Sequence, residues 1–281
     1  MEKKNINIRE CDALIEKFEQ VIKSPVTKKA SVYYTGVDLG TACIVLAVMN
    51  ENYEPIAGAY QYADVVKDGM IVDYIGAVRI VRQMKEKLEE ELGTELLYAA
   101  AAIPPGTDTL DGGAIKNVVE AAGFELTNLL DEPTAANEVL GIKNGAVVDI
   151  GGGTTGISIL KDGKVIHVVD EPTGGTHFSL VVAGSYKMKF EEAEIYKRNP
   201  KHHKELLPTL KPVIEKVASI IKQHCEGYDV SEIYLVGGTC CLEGIEAVVE
   251  KYVGIPTYKP GNPMFVTPLG IAKSCTQQIM D

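Results

Sequence analysis

GAVVDIGGGTTGISILK, residues 145–161, reads as an apolar strand, a glycine-threonine turn and a second strand. Asp162-Gly163 then turns the chain into a third strand, KVIHVV. Gly151, Gly153 and Gly156 satisfy G-x-G-x-x-G, but a dinucleotide fingerprint needs a helix after its turn. Here ISIL follows, so that reading is excluded, and the absence of a Gly-Lys-Ser/Thr ending excludes a P-loop. What remains is a hairpin tip able to hold an anion. Glycine lets backbone N–H groups approach closely, and threonine hydroxyls add donors.

The same pattern occurs once before. SVYYTGVDLGTACIVLAVMN, residues 31–50, is strand, turn, strand; Glu51-Asn52 turns into a third strand ending near Tyr62. Val37-Asp38-Leu39-Gly40 matches Val148-Asp149-Ile150-Gly151, and the two aspartates lie 111 positions apart (149 less 38). That period is too long for a solenoid unit and suits a duplicated domain. Helix-strand units follow each meander. The first half continues with a helix over 73–92, the buried strand LLYAAAAIP, a helix over 111–122, a strand over 126–130 and a helix over 133–140. The second continues with helices over about 176–198 and 208–226, the strand SEIYLVGG, a helix over 242–253, a short strand over 255–258 and a last helix from about Pro268.

The fold class is therefore α/β, with domains at 31–142 and 143–281. Residues 1–30 supply an amphipathic helix, ECDALIEKFEQVIK, and a linker, Ser24–Ala30. That helix either packs on its own domain or lies in a partner's groove.

Composition excludes several classes. The chain has 281 residues, 46% hydrophobic and 24% charged, an ordinary globular mix. A net charge of −11 disfavours nucleic acid as a partner but allows a small phosphorylated ligand. No apolar run approaches about 18 residues, so no membrane span is expected. No signal peptide is read, which points to the cytoplasm. The six cysteines, at 11, 43, 225, 240, 241 and 275, form no C-x-x-C pair, and reduced thiols are expected. Cys240-Cys241 is either redox-active or a buried structural pair. His202-His203 and His224-Cys225 lack the spacing of a closed metal site.

Asp38 and Asp149 precede their glycine tips by two residues. A carboxylate beside a phosphate cradle is sensible when a divalent cation lies between, and Mg²⁺ is commonly held through one or two carboxylates plus phosphates. The plain alternative is a tight hairpin with a turn-favouring aspartate. Glu132, in Asp131-Glu132-Pro133-Thr134, falls at a strand's carboxyl end and could polarise a water. It could equally complement a helix N-terminus. Val236-Gly237-Gly238-Thr239 ends another strand and offers a flat surface to a nucleoside.

GVDLGT, DEPTAAN, VVDIGGGTT, Gly174-Gly175 and YLVGGT occur in the order seen in actin-like ATPases, which the chain resembles over about residues 32–276. That superfamily includes DnaK-type chaperones, bacterial actins and sugar kinases. YADVVKDGMIVDYIGAVRIVR, IPPGTD and EEAEIYKR are similar to its compact, chaperone-like ethanolamine-utilisation members, encoded with microcompartment enzymes. The resemblance implies two duplicated ribonuclease-H-like domains with a nucleotide cleft between them, ATP or ADP as ligand, and Mg²⁺. It implies that Gly40, Thr41 and Ala42 form one phosphate loop and Gly151, Gly152, Gly153, Thr154 and Thr155 the other. Asp38 and Asp149 would reach the metal through water, Glu132 would position the attacking water, and Gly174 and Gly175 would approach the phosphates. Glu194, Lys197 and Arg198 would contact the nucleoside, with Gly237, Gly238 and Thr239 as the adenosine loop.

The turn at Gly174 departs from the family pattern. It reads GGTHFS, with Thr176, His177 and Ser179 where acidic residues are usual. No lysine clearly replaces the catalytic lysine of DnaK-type chaperones, Lys67 being a candidate only. Four functions compete: a slowly hydrolysing chaperone-like switch, a small-molecule kinase, a nucleotide-binding scaffold, and a reactivating factor for a cobalamin-dependent ammonia-lyase. The resemblance implies a protein client, ethanolamine ammonia-lyase or a microcompartment component, and a place at the microcompartment.

Overall fold

Each half of the chain builds one five-stranded sheet. After helix α1 (Ile6–Lys23) come β1 (Tyr34–Leu39), β2 (Cys43–Met49), β3 (Pro55–Tyr62), the hairpin β4 (Val66–Lys67) and β5 (Met70–Ile71), α2 (Tyr74–Leu92), β6 (Tyr98–Ile103), α3 (Thr109–Ala121), β7 (Glu125–Asp131) and α4 (Glu132–Leu140). Then follow β8 (Gly145–Ile150), β9 (Thr155–Lys161), β10 (Lys164–Glu171), α5 (Gly175–Tyr186), α6 (Phe190–Arg198), α7 (His203–Cys225), β11 (Ile233–Val236), α8 (Ile245–Val253), β12 (Thr257–Tyr258) and α9 (Val266–Ser274). This computed structural model describes residues 6–26, 29–67, 69–106 and 109–277. The N-terminal MEKKN, Thr27-Lys28 of the expected linker, Asp68, Thr107-Asp108 of IPPGTD and residues 278–281 lie outside the described residues.

The strand orders are β3-β2-β1-β6-β7 and β10-β9-β8-β11-β12, and they match strand for strand. The meander of each sheet is antiparallel and its last two strands run parallel to the first. The duplication expected from Asp38 and Asp149 is thus present in the topology. The chain groups into two compact units, one up to Gly141 together with the residues from Phe265 onward, the other Ile142–Met264.

In the first unit β2 and β6 are buried on both faces, which is why they read as continuous apolar runs. Ala99 and Ala101 of β6 join the core with Val81, Leu88 and Val118, on α2 and α3. Ala100 and Ala102, on the other face, pack with Ala135 of α4 and Ile271 of α9. A side chain on Gly270 would collide with the carbonyl of Ala135, so α4 and α9 touch backbone to backbone. The last helix therefore belongs to the first unit, which corrects the expected second domain running to Asp281. Chain order could not reveal this, because α9 returns across the junction.

Helix α1 buries Ile8, Cys11, Ile15, Phe18 and Val21. Phe18 is 0% exposed and meets Phe265 edge to face at 5.2 Å. Lys17 pairs with Glu54 at 2.7 Å, and Val26 N–H bonds the Ile56 carbonyl beyond the helix. The buried part of the apolar face, from Ile8 to Val21, is used within its own unit.

The second unit has its own core, including Ile157, Phe178, Leu210, Ile214 and Leu235. The helix expected over 176–198 is two helices. Lys187 turns left-handed at φ 55° and ends α5, and α6 starts three residues later. Helix α7 begins at His203, earlier than expected, and carries Pro208 and Pro212 inside it. Cys11, Cys225, Cys240 and Cys275 are buried free thiols. Burial, with Asp12 adding to it, pushes the Cys11 thiol up to about 12, and burial takes that of Cys225 to about 11. Burial, with Asp149 adding to it, raises that of Cys240 as well. These groups are protected from becoming reactive thiolates.

Candidate functional site

In the second unit two loops converge on the carbonyl groups of one hairpin tip. The carbonyl of Gly151 accepts the Gly175 N–H at 2.9 Å and the Thr239 hydroxyl at 2.7 Å. The carbonyl of Gly152 accepts both the N–H (2.8 Å) and the hydroxyl (3.0 Å) of Thr176. Thr155, buried in β9, donates its hydroxyl to the Thr173 carbonyl. Gly151 N–H closes the tip on the Thr154 carbonyl at 3.0 Å. The N–H groups of Gly152, Gly153 and Thr154 bond no protein acceptor among the described residues. Successive N–H groups of this kind form an anion-binding concavity.

Two glycines are required by close approach. A Cβ on Gly174 would stand 2.6 Å from the carbonyl carbon of Gly153 and 2.8 Å from the Thr154 nitrogen. Gly237 has φ +90°, and a Cβ there would meet the Ile150 carbonyl at 2.6 Å and the Asp149 carboxylate. Asp149 itself is 7% exposed, on β8 beside Val236 of β11. The glycine loop after β11 is therefore laid directly on Asp149. Gly238 is exposed and begins a 3-10 turn.

Helix α6 brings Glu194, Lys197 and Arg198 to the Gly175 turn. Lys197 donates to the Gly175 carbonyl at 2.8 Å and to Glu194 at 2.9 Å. Ser179 donates to Glu194, and Arg198 pairs with it at 3.4 Å. Burial acts to raise the Glu194 carboxyl, but Lys197, the Ser179 hydroxyl and Arg198 outweigh it and hold the group below the usual range. Burial lowers the Lys197 ammonium despite the opposing pull of Glu194. His177 Nδ1 accepts the Gly174 N–H at 3.4 Å, closing the start of α5 locally.

In the first unit the tip Gly40-Thr41-Ala42 joins β1 to β2, with Asp38 facing Val45 across the pair. The N–H groups of these three residues also bond no protein acceptor among the described residues. Glu132 is half-buried at the first position of α4, directly after β7. Asp131 caps that helix, accepting the Thr134 N–H at 2.9 Å and its hydroxyl at 2.7 Å. The division of labour between neighbouring carboxylates is physical: Asp131 satisfies the helix end, and Pro133 needs no partner for a missing N–H. Lys67 lies exposed on β4.

Every site residue expected in 151–155, 174–175, 194–198 and 237–239 lies in one unit, and hydrogen bonds link all four segments. Asp38, Gly40, Thr41, Ala42 and Glu132 lie in the other. Ser179, which bonds Glu194, was not expected in the site; its signal was its place in the altered GGTHFS turn.

These two five-stranded sheets of matching order, each with a glycine tip after an aspartate, define an actin-like ATPase fold. MreB5 of Spiroplasma citri bound to ADP shares it at TM-score 0.68 and 18% identity, over 85% of this chain and 95% of that one. The family described as type IV pilus assembly protein PilM matches residues 119–264. The crystal structure of ethanolamine utilization protein EutJ from Carboxydothermus hydrogenoformans is similar at TM-score 0.91 and 49% identity, covering 95% of this chain and 99% of that one. The EutJ protein of Salmonella typhimurium is 45% identical over 242 residues, 86% of this chain and 85% of its own length. The chain belongs to the EutJ family. Among the described residues no helix is long and apolar enough to cross a membrane.

Proposed function

We propose that this chain is an Mg²⁺-dependent ATP switch of ethanolamine utilisation, hydrolysing slowly and acting on a protein client. The client would be an enzyme or a shell component of a microcompartment. The carrying observation is the pair of tips, Gly40–Ala42 and Gly152–Thr154, each presenting N–H groups without a protein acceptor among the described residues, two or three residues after an aspartate. Phosphate oxygens would complete those donors. The ADP bound to MreB5 of Spiroplasma citri agrees with this reading.

The donor set fits a hydrated cation. Among the described residues no three His, Cys, Asp or Glu side chains gather into a metal cluster; Asp38 and Asp149 each offer one carboxylate in their own unit, and phosphate and water would complete a shell around it. When bound, Mg²⁺ offsets the charge of the phosphate oxygens. Glu132 would accept a hydrogen bond from the attacking water, whose oxygen bonds to the γ-phosphorus as the bridging P–O bond to ADP breaks. Thr176 bonds the Gly152 carbonyl and His177 bonds within its own turn; neither supplies a carboxylate, which favours slow turnover.

Single-turnover hydrolysis of Mg-ATP tests the proposal. Glu132→Gln should keep ATP affinity and lose about 10²-fold or more in rate. Asp149→Ala should weaken Mg-ATP binding. Unchanged turnover in both variants would overturn the assignment.

A further inference from the structure

We infer that His203 is a positioning residue, pinning the end of α6 to the loop after β11 so that a nucleoside meets both in register. The inference rests on the nucleotide reading above. His203 is 2% exposed, at the first position of α7. Its Nε2 lies 3.1 Å from the Lys197 carbonyl, and its Nδ1 3.3 Å from the Glu243 backbone nitrogen. A carbonyl only accepts and an N–H only donates. Both bonds therefore exist together only in the neutral imidazole with its proton on Nε2.

The two partners are the segments that carry the nucleoside candidates. Lys197 lies between Glu194 and Arg198 on α6. Glu243 follows Gly237-Gly238-Thr239 and the 3-10 turn. Lys259 fastens the same loop from its other side, donating to the Cys240 and Leu242 carbonyls at 3.1 and 2.9 Å, with Glu246 at 3.3 Å. Among the described residues His203 makes no hydrogen bond to the tip 151–155, so the phosphate donors stand without it.

Calorimetric titration with Mg-ATP and, separately, with magnesium tripolyphosphate separates these roles. In His203→Ala the ATP affinity should fall about tenfold, equivalent to about 1.4 kcal/mol, with tripolyphosphate affinity held within about twofold. His203→Gln keeps a donor near Nε2 and His203→Asn an acceptor near Nδ1, so each should lose less than the alanine variant. If thermal melting shows His203→Ala unfolded, the Gln and Asn variants decide by the same contrast. Parallel loss of both ligands, or no loss of ATP affinity in a folded variant, overturns the inference alone. Wild-type protein that binds neither ligand overturns the nucleotide reading with it.

Discussion

The hydroxyl of Thr239 donates to the carbonyl of Gly151 at 2.7 Å, tying the loop after β11 to the tip of the β8–β9 hairpin across 88 positions of sequence. The same carbonyl takes the Gly175 N–H, so two candidate ligand loops share one acceptor on a third. Thr239→Val keeps the shape and removes the donor. It should cost about 1 kcal/mol in urea unfolding and weaken ATP binding, and Thr239→Ser should recover both. A valine variant with wild-type affinity would show that the tie does not set the loops.

Gly174 and Gly184 make a matched pair of substitutions. Gly174→Ala forces a methyl against backbone atoms of Gly153, Thr154 and Gly151, all within 2.9 Å. Overpacking against backbone should cost about 1–3 kcal/mol, and ATP affinity should drop with it. Gly184, exposed in α5 with open space around it, should gain about 0.5–1 kcal/mol as alanine. Denaturant midpoints of the two variants check both signs.

Phe18 anchors α1 to the first unit. Phe18→Ala should destabilise by about 3–5 kcal/mol, read as a lower urea midpoint. A helix kept for a partner would lose little stability on the same change.

Acid should weaken the fold through His203. Its burial, reinforced by Lys259 and His202 and opposed by the Lys197 carbonyl and Glu243, depresses its pKa below the ordinary 6.5. The unfolded chain then takes up the proton first, so stability is full above 6.5 and falls as pH drops through the depressed folded value. His203→Gln should flatten that part of the stability–pH curve. An unchanged slope would assign the acid sensitivity elsewhere.

The strand–turn–strand repeats were legible because two meanders with the same Val-Asp-hydrophobic-Gly signature leave a period-two pattern and a glycine tip in the sequence. The site loops were legible for the same reason, since close backbone approach at Gly174 and Gly237 admits only glycine. The break between α5 and α6 was hidden, because Lys187-Met188-Lys189 contains no turn residue and the left-handed turn falls on a lysine. The home of α9 was hidden by chain order, its packing being decided by Gly270 against Ala135. His203 was hidden because its partners are backbone groups, which no side-chain pattern announces.

Binding of Mg-ATP is the property on which the switch depends, and calorimetric titration of the wild-type protein with ATP reads it without any intermediate step. One saturable site is expected, lost on chelating Mg²⁺ and weakened in Asp149→Ala. Absence of binding up to millimolar ATP in the presence of Mg²⁺ would contradict the switch.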